Sequence, residues 1–293
     1  ACRPVLGNKV DGIAGKLIDL IAVFALLAGT ATTFSLATPL LAGAISSVTG
    51  IPQSTGLTLV ILVIVCAIYT FSVYFGMKGV QLSAATCTWL FFGLLAYVFF
   101  FGGQTRFIIE EGITALGNLT QNFIGLATWT DSLRTSSFPQ TWTIFYWAYW
   151  MVWCVAVPFF IGSISKGRTL RQVILGGYVF GLSGTFTSFI IMGNYGLGLQ
   201  MHGKLEVLST YAADGNLYHA ILDILGQLPL SKAVLVLLVL CMITFYSTSF
   251  DSITMVASTY TYKKLQSDEE PHRNVKLFWA IFLILLPLAL IFS

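Results

Sequence analysis

No Asp, Glu, Lys, Arg or His occurs between Leu20 and Met77. A bilayer crossing takes about 20 apolar residues, so this stretch is too long for one helix and suits two joined at a turn. Gly50, Pro52 and the small polar residues Gln53, Ser54 and Thr55 supply that turn. The rest of the chain follows the same rule. Hydrophobic residues make up 56% and charged residues 9%, against roughly 25% charged in soluble domains. Too few polar side chains are present to wrap a core in water. The net charge of +3 is small and scattered, which excludes a groove that tracks nucleic-acid phosphates. The expected fold class is all-α integral membrane. Strict alternation of polar and apolar residues is missing, which argues against a membrane β-barrel.

Seven spans are expected, near 18–46, 56–76, 82–102, 141–164, 172–198, 232–257 and 275–292. Lys and Arg fix their direction through the positive-inside rule. Arg3, Lys9 and Lys16, then Lys78, then Lys166, Arg168 and Arg171, then Lys263, Lys264, Arg273 and Lys276 all fall on one side, the cytoplasmic one. On the other side Arg106, Arg134, Lys204 and Lys232 are offset by Glu110, Glu111, Asp131, Glu206, Asp214 and Asp223. Seven spans alternate without conflict. Residues 106–126 space Phe107, Ile108, Ile109, Ile113, Leu116, Leu119, Phe123 and Ile124 as an amphipathic helix along the interface. A second short helix is expected at 216–228. The chain starts at Ala1 and stops inside the apolar run Leu277 to Phe292, so it reads as a fragment of a longer protein.

The fourth span opens with WTIFYWAYW at 142–150. At about 100° per residue, Trp142, Tyr146, Tyr149, Trp150 and Trp153 share an arc of roughly 100°, with Trp147 beside it. An interfacial aromatic belt covers about one turn. This stripe runs some three turns, to about 16 Å below Trp142. Two readings stand: packing or a belt, and a site for a quaternary ammonium ion. Such an ion has no proton to donate and is held by ring faces, each worth about 2 kcal/mol or more when desolvated.

The sixth span carries Thr244, Ser247, Thr248, Ser249 and Ser252. These hydroxyls either bond their own helix and its neighbours or offer hard oxygens to a cation such as sodium. Asp251 is ionisable within the same span. It faces a cavity or partner, or sits solvated near the cytoplasmic end. Thr30, Thr32, Thr33 and Ser35 form a weaker hydroxyl cluster in the first span. The five cysteines (Cys2, Cys66, Cys87, Cys154, Cys241) are isolated, and they read as buried small hydrophobes rather than a disulfide or zinc framework. His202, His219 and His272 fall in loops, and no grouping supplies nucleophile, base and orienter together. An enzyme is not expected.

WTIFYWAYW at 142–150, followed by ISKGRTLR at 164–171, closely resembles the signature of the betaine/choline/carnitine transporter family. FSLATP at 34–39 and TSFDS at 248–252 are similar to further family segments. The resemblance implies a twelve-helix transporter with two inverted five-helix repeats, an amino-acid-transporter-like core, with the seven spans here standing for the fifth to the eleventh. It places the site near the bilayer midplane. It implies a substrate cage at Trp150, with Trp153 one turn deeper, Trp147 and Tyr149 beside them, and Tyr146 and Trp142 continuing the stripe. Tyr149 stands where the family usually has Trp. It also implies a sodium site at the hydroxyls of Thr248 and Ser249 and the backbone carbonyl of Phe245. Sodium-independent members use a basic residue instead, and Gln81 to Thr88 has no Lys or Arg. The implied function is sodium-coupled import of a compatible solute such as glycine betaine, choline or carnitine, by alternating access. The implied setting is the inner (plasma) membrane, with lipid contacts, no cofactor beyond the coupling ion and a possible homotrimer. Rival readings are transport of a sulfonium compound or an amino acid on the same fold, and a non-transporting membrane sensor.

Overall fold

The computed structural model describes residues 3–154, 157–262 and 270–291. Cys2, Lys263, Lys264 and Phe292 lie outside that range. The described residues are helical throughout, apart from turns and short connections. After short helical turns at Arg3–Leu6 (α1) and Gly7–Asp11, the chain forms α2 (Ile13–Thr49), α3 (Thr55–Tyr74), α4 (Met77–Phe101) and α5 (Thr105–Thr128). Then come a π-helical turn (Pro139–Ile144), α6 (Phe145–Trp153) and α7 (Val157–Ile164). Next are α8 (Leu170–Ser188), a second π-helical turn (Phe189–Gly193), α9 (Asn194–Met201), α10 (Val207–Asp214) and α11 (Leu217–Gly226). Two long helices close the chain, α12 (Ser231–Tyr260) and α13 (Arg273–Ile291).

The helix ends follow local chemistry. The charge-free stretch turns where expected: α2 stops at Gly50, whose φ of 77° suits glycine and whose N–H bonds the Ser46 carbonyl. α3 starts at Ser54, whose hydroxyl accepts from the Leu57 N–H at 3.2 Å. Thr169 and Gln172 form a capping box at the start of α8.

Five helices are long and apolar enough to cross a membrane: Ile13–Thr49, Thr55–Tyr74, Lys78–Phe101, Leu170–Met201 and Ser231–Tyr260. The other two predicted spans are helical but do not reach that standard within the described residues. The 141–164 segment begins as a π turn at Pro139, and its α6 stops at Trp153. The amphipathic helix runs from Thr105 to Thr128 and bends at Asn122, whose φ of −109° and ψ of 16° leave the helical region. α10 occupies a stretch that hydropathy alone does not flag.

α12 is the axis of the bundle, packing on α2, α3, α4 and α13. Lipid tails are as apolar as Leu, so close dispersion contact and internal hydrogen bonds hold these helices together. Phe250 is fully enclosed and stacks on Phe34 at 4.2 Å, with Tyr69 at 5.3 Å and Tyr246 at 6.2 Å. Both tyrosine hydroxyls find partners. Tyr69 donates to the Ala280 carbonyl at 2.5 Å, and Tyr246 lies 2.9 Å from the Thr38 hydroxyl. A second core at the other end of α12 joins Leu94, Val98, Ile108, Tyr195, Leu225 and Leu235.

Candidate functional site

α6 lies against α2, and the contact depends on Gly29. A Cβ there would sit 3.3 Å from Trp153 Cε2 and Cζ2 and from Val152 Cγ1. The missing side chain lets the Trp153 indole lie on the α2 backbone. One turn further along α2, the Thr33 hydroxyl sits 2.8 Å from the Tyr149 hydroxyl. Ring contacts extend this anchor. Tyr149 stacks on Phe145 at 5.7 Å and stands nearly perpendicular to Trp150 at 74° and Trp153 at 72°.

Between these rings and α12 lies a cavity of about 300 Å³ lined by Thr33, Tyr149, Trp150, Trp153 and Val157, with Ser249, Ser252, Ile253 and Val256 from α12. None of these residues carries a charge. The surface is aromatic and aliphatic, dotted with hydroxyls, the chemistry that suits a desolvated organic cation.

The predicted stripe divides in two. Tyr149, Trp150 and Trp153 line that cavity. Trp142, Tyr146 and Trp147 line a neighbouring groove with Phe138, Thr143 and Phe189, and Trp150 borders both. Trp142 stacks on Tyr146 at 6.1 Å. The rings are less enclosed than a finished cage: Trp150 is 62% exposed and Trp147 65%. Trp153 is half-buried and packs on the main core.

The hydroxyls of α12 also separate. Thr248 donates to the Thr244 carbonyl at 2.9 Å and lies 3.4 Å from the Ser83 hydroxyl on α4. Ser249 lines the cavity toward α2 and α6. The Phe245 ring meets Phe91 edge-on at 5.3 Å. Adjacent positions on a helix differ by about 100°, which is why Thr248 and Ser249 meet different neighbours. Thr33 and Ser252 are cavity residues that the stripe does not reveal. They come from separate helices, and only the fold brings them to the rings.

Asp251 is completely buried, not solvated at a helix end. Ser72 donates to its Oδ2 at 2.6 Å, while Oδ1 has no hydrogen-bond partner among the described residues, and neither do the nearby buried Ser247 and Thr254 side-chain oxygens. Among the described cysteines, Cys87 and Cys241 are buried as expected, but Cys154 is exposed, its thiol donating to the Met151 carbonyl.

Helices of membrane-crossing length define a multi-pass membrane protein, and an uncharged, largely aromatic cavity lies where α6 meets α12. The chain matches the betaine/carnitine/choline family transporter (BCCT) along residues 1–293, and it belongs to that family, one of transporters and not of enzymes. It is 30% identical over 291 residues to a carnitine transporter of Acinetobacter baumannii, covering 99% of this chain and 52% of that protein. It is 31% identical over 296 residues to the glycine betaine transporter OpuD of Bacillus subtilis, covering 99% and 56%. A probable glycine betaine transporter of Desulfitobacterium hafniense is 30% identical over 282 residues, covering 96% and 55%. The chain spans about half the length of these curated relatives.

Proposed function

We propose that this chain forms the substrate-holding half of a secondary transporter that imports a quaternary-ammonium solute across the plasma membrane by alternating access. The observation that carries this reading is the uncharged cavity in which Tyr149, Trp150 and Trp153 meet α12. A trimethylammonium group has a diffuse charge and no N–H. Ring faces stabilise it by about 2 kcal/mol or more each once water is excluded, and Val157, Ile253 and Val256 add apolar surface to the same wall. On this reading the expected seven crossings include the α6–α7 segment and α13, and the chain takes part in the twelve-helix, inverted-repeat plan.

Sodium coupling belongs to the same proposal, through the Thr248 and Ser249 hydroxyls and the Phe245 carbonyl. Its support is the hydrogen bonding of Thr248: the single proton is spent on the Thr244 carbonyl, so the oxygen keeps lone pairs for a cation. The test is uptake of labelled glycine betaine, choline and carnitine into proteoliposomes with and without a sodium gradient. Trp150→Leu should weaken binding of the substrate by about 30-fold, the loss of one ring face. Binding that survives the change intact would remove the cage from the proposal. Thr248→Ala should raise the sodium concentration needed for half-maximal uptake, and an unshifted sodium response would remove the ion site.

A further inference from the structure

We propose that Asp251, held by Ser72 and joined by Ser247, forms a monovalent-cation site buried between α3 and α12. It is separate from the aromatic cavity and from the Thr248–Ser249 site, and it depends on neither assignment.

The hydroxyls of α12 show where it lies. A Ser or Thr in a membrane helix ordinarily gives its proton to the carbonyl one turn back. Thr244, Thr248, Ser252, Ser258 and Thr259 do so, at 2.6–3.0 Å. Ser247 and Thr254 do not. Their side-chain oxygens are buried and have no hydrogen-bond partner among the described residues, and the same holds for Asp251 Oδ1 between them. At about 100° per residue these three positions fall within roughly 60° of arc, while Thr248 and Ser252 lie about 100° to 140° from Ser247 around the helix. The partnerless oxygens therefore share one narrow stripe, and Asp251 faces α3, not the cavity.

A buried carboxylate is costly unless its charge is paired. No Lys, Arg or His among the described residues is paired with Asp251. Lys276, buried on α13, is bonded to Glu270 at 3.0 Å, and Arg273 lies over the Tyr74 ring at 5.1 Å. Ser72 holds Oδ2 at 2.6 Å and leaves Oδ1 for another ligand. Helical side chains lean toward the N-terminus, which brings this carboxyl over the turn of Ser247. An ion between Oδ1 and the Ser247 oxygen completes both. Carboxylate and hydroxyl oxygens are hard donors, the kind an alkali cation such as sodium accepts. One positive charge cancels one negative charge, whereas a divalent ion would leave an excess in the core. Water alone would satisfy the oxygens and leave the charge unpaired. Thr254, a turn further along, meets the ion through water. Ser72 is only half-buried, so the way in runs past it. The bound ion ties α3 to α12 and acts on the scaffold, not on the solute.

The experiment is thermal unfolding of the full chain in nanodiscs. Sodium chloride is titrated against Tris chloride at constant ionic strength, in the wild type and in a Thr248→Ala background that lacks the other proposed ion ligand. The midpoint should rise saturably with sodium in both. Asp251→Asn keeps the bond from Ser72 and loses the charge. It should start from a higher midpoint without sodium and need at least about tenfold more sodium for half of any rise. Ser247→Ala should weaken the response about 3- to 10-fold, and Thr254→Val should weaken it less. A midpoint that ignores the identity of the cation overturns the proposal and leaves the stripe to water. A response lost on Thr248→Ala alone assigns the sodium effect to the Thr248–Ser249 site and overturns this one. A response that stays unshifted in Asp251→Asn also overturns it. If that variant does not fold, Ser247→Ala decides in the same way, an unshifted response removing the site.

Discussion

α12 and the α6–α8 region are both apolar, yet they use their side chains in opposite ways. α12 turns Tyr246, Phe250, Ile253 and Val256 inward and hides Ser247, Asp251 and Thr254 among them. Neither α6 nor α8 buries a single residue. Phe180 on α8 is 78% exposed, against 0% for Phe250 on α12. The first region is a scaffold held by close packing. The second presents large aromatic faces to lipid, to a ligand or to other protein. Hydropathy does not separate these cases, because a side chain facing lipid and one facing a neighbouring helix are equally apolar.

The sharpest way to break this contrast is to truncate one phenylalanine in each region. Phe250→Ala should cost about 3 kcal/mol, since it opens a cavity among Phe34, Tyr69 and Tyr246. Phe180→Ala should leave the thermal unfolding midpoint in detergent almost unmoved. Similar shifts for the two would show that α8 is packed after all.

Trp153 sits on the border between the regions. Trp153→Leu should lower both the unfolding midpoint and substrate affinity, because the indole packs on Gly29 and the core as well as lining the cavity. Trp150→Leu should lower affinity with little change in stability. A smaller effect is expected for Asp251→Asn. A buried carboxyl with one partnerless oxygen is costly, and the isosteric amide still accepts from Ser72, so the unfolding midpoint should rise by the equivalent of about 1 kcal/mol. A fall would mean that the charge has a partner supplied by another conformation.

The smallest effect lies in the loop that leads into α6. The Ser136 backbone N–H donates to Asp131 Oδ2 at 2.6 Å, and the Thr135 hydroxyl donates to Oδ1 at 3.0 Å. These bonds favour the ionised form and hold the carboxyl below the ordinary carboxylate value. The stabilisation is fully present above that ordinary value and is lost as pH falls through the lower folded one. Protection of the Ser136 amide from exchange, corrected for the intrinsic pH dependence, should therefore fall on acidification, and Asp131→Asn should abolish that change in protection. A flat profile in the unsubstituted chain would remove the role assigned to the carboxylate.

Much of this architecture was legible in the chain. The turn at Gly50 to Thr55, the helix along 105–128 and the aromatic stripe all follow from local rules, because capping, backbone φ and a 3.6-residue period act between neighbours in sequence. The exposure of Trp150 was not legible, since it depends on what lies across from it. Thr248 and Ser249 are neighbours in the sequence, and only the fold shows that Thr248 also reaches Ser83 on α4 while Ser249 lines the cavity.

The amino acids alone settled that this chain lives in a bilayer, where its helices turn, and that five Trp and Tyr residues share one arc of a helix with Trp147 beside it, because length, polarity and periodicity are properties of a single segment. That the Tyr149 hydroxyl meets that of Thr33, more than a hundred positions away, and that Asp251 is sealed behind Ser72, were decided by packing between helices. A hydroxyl becomes a donor, an acceptor or an orphan only when distant parts of the chain are brought within about 3 Å.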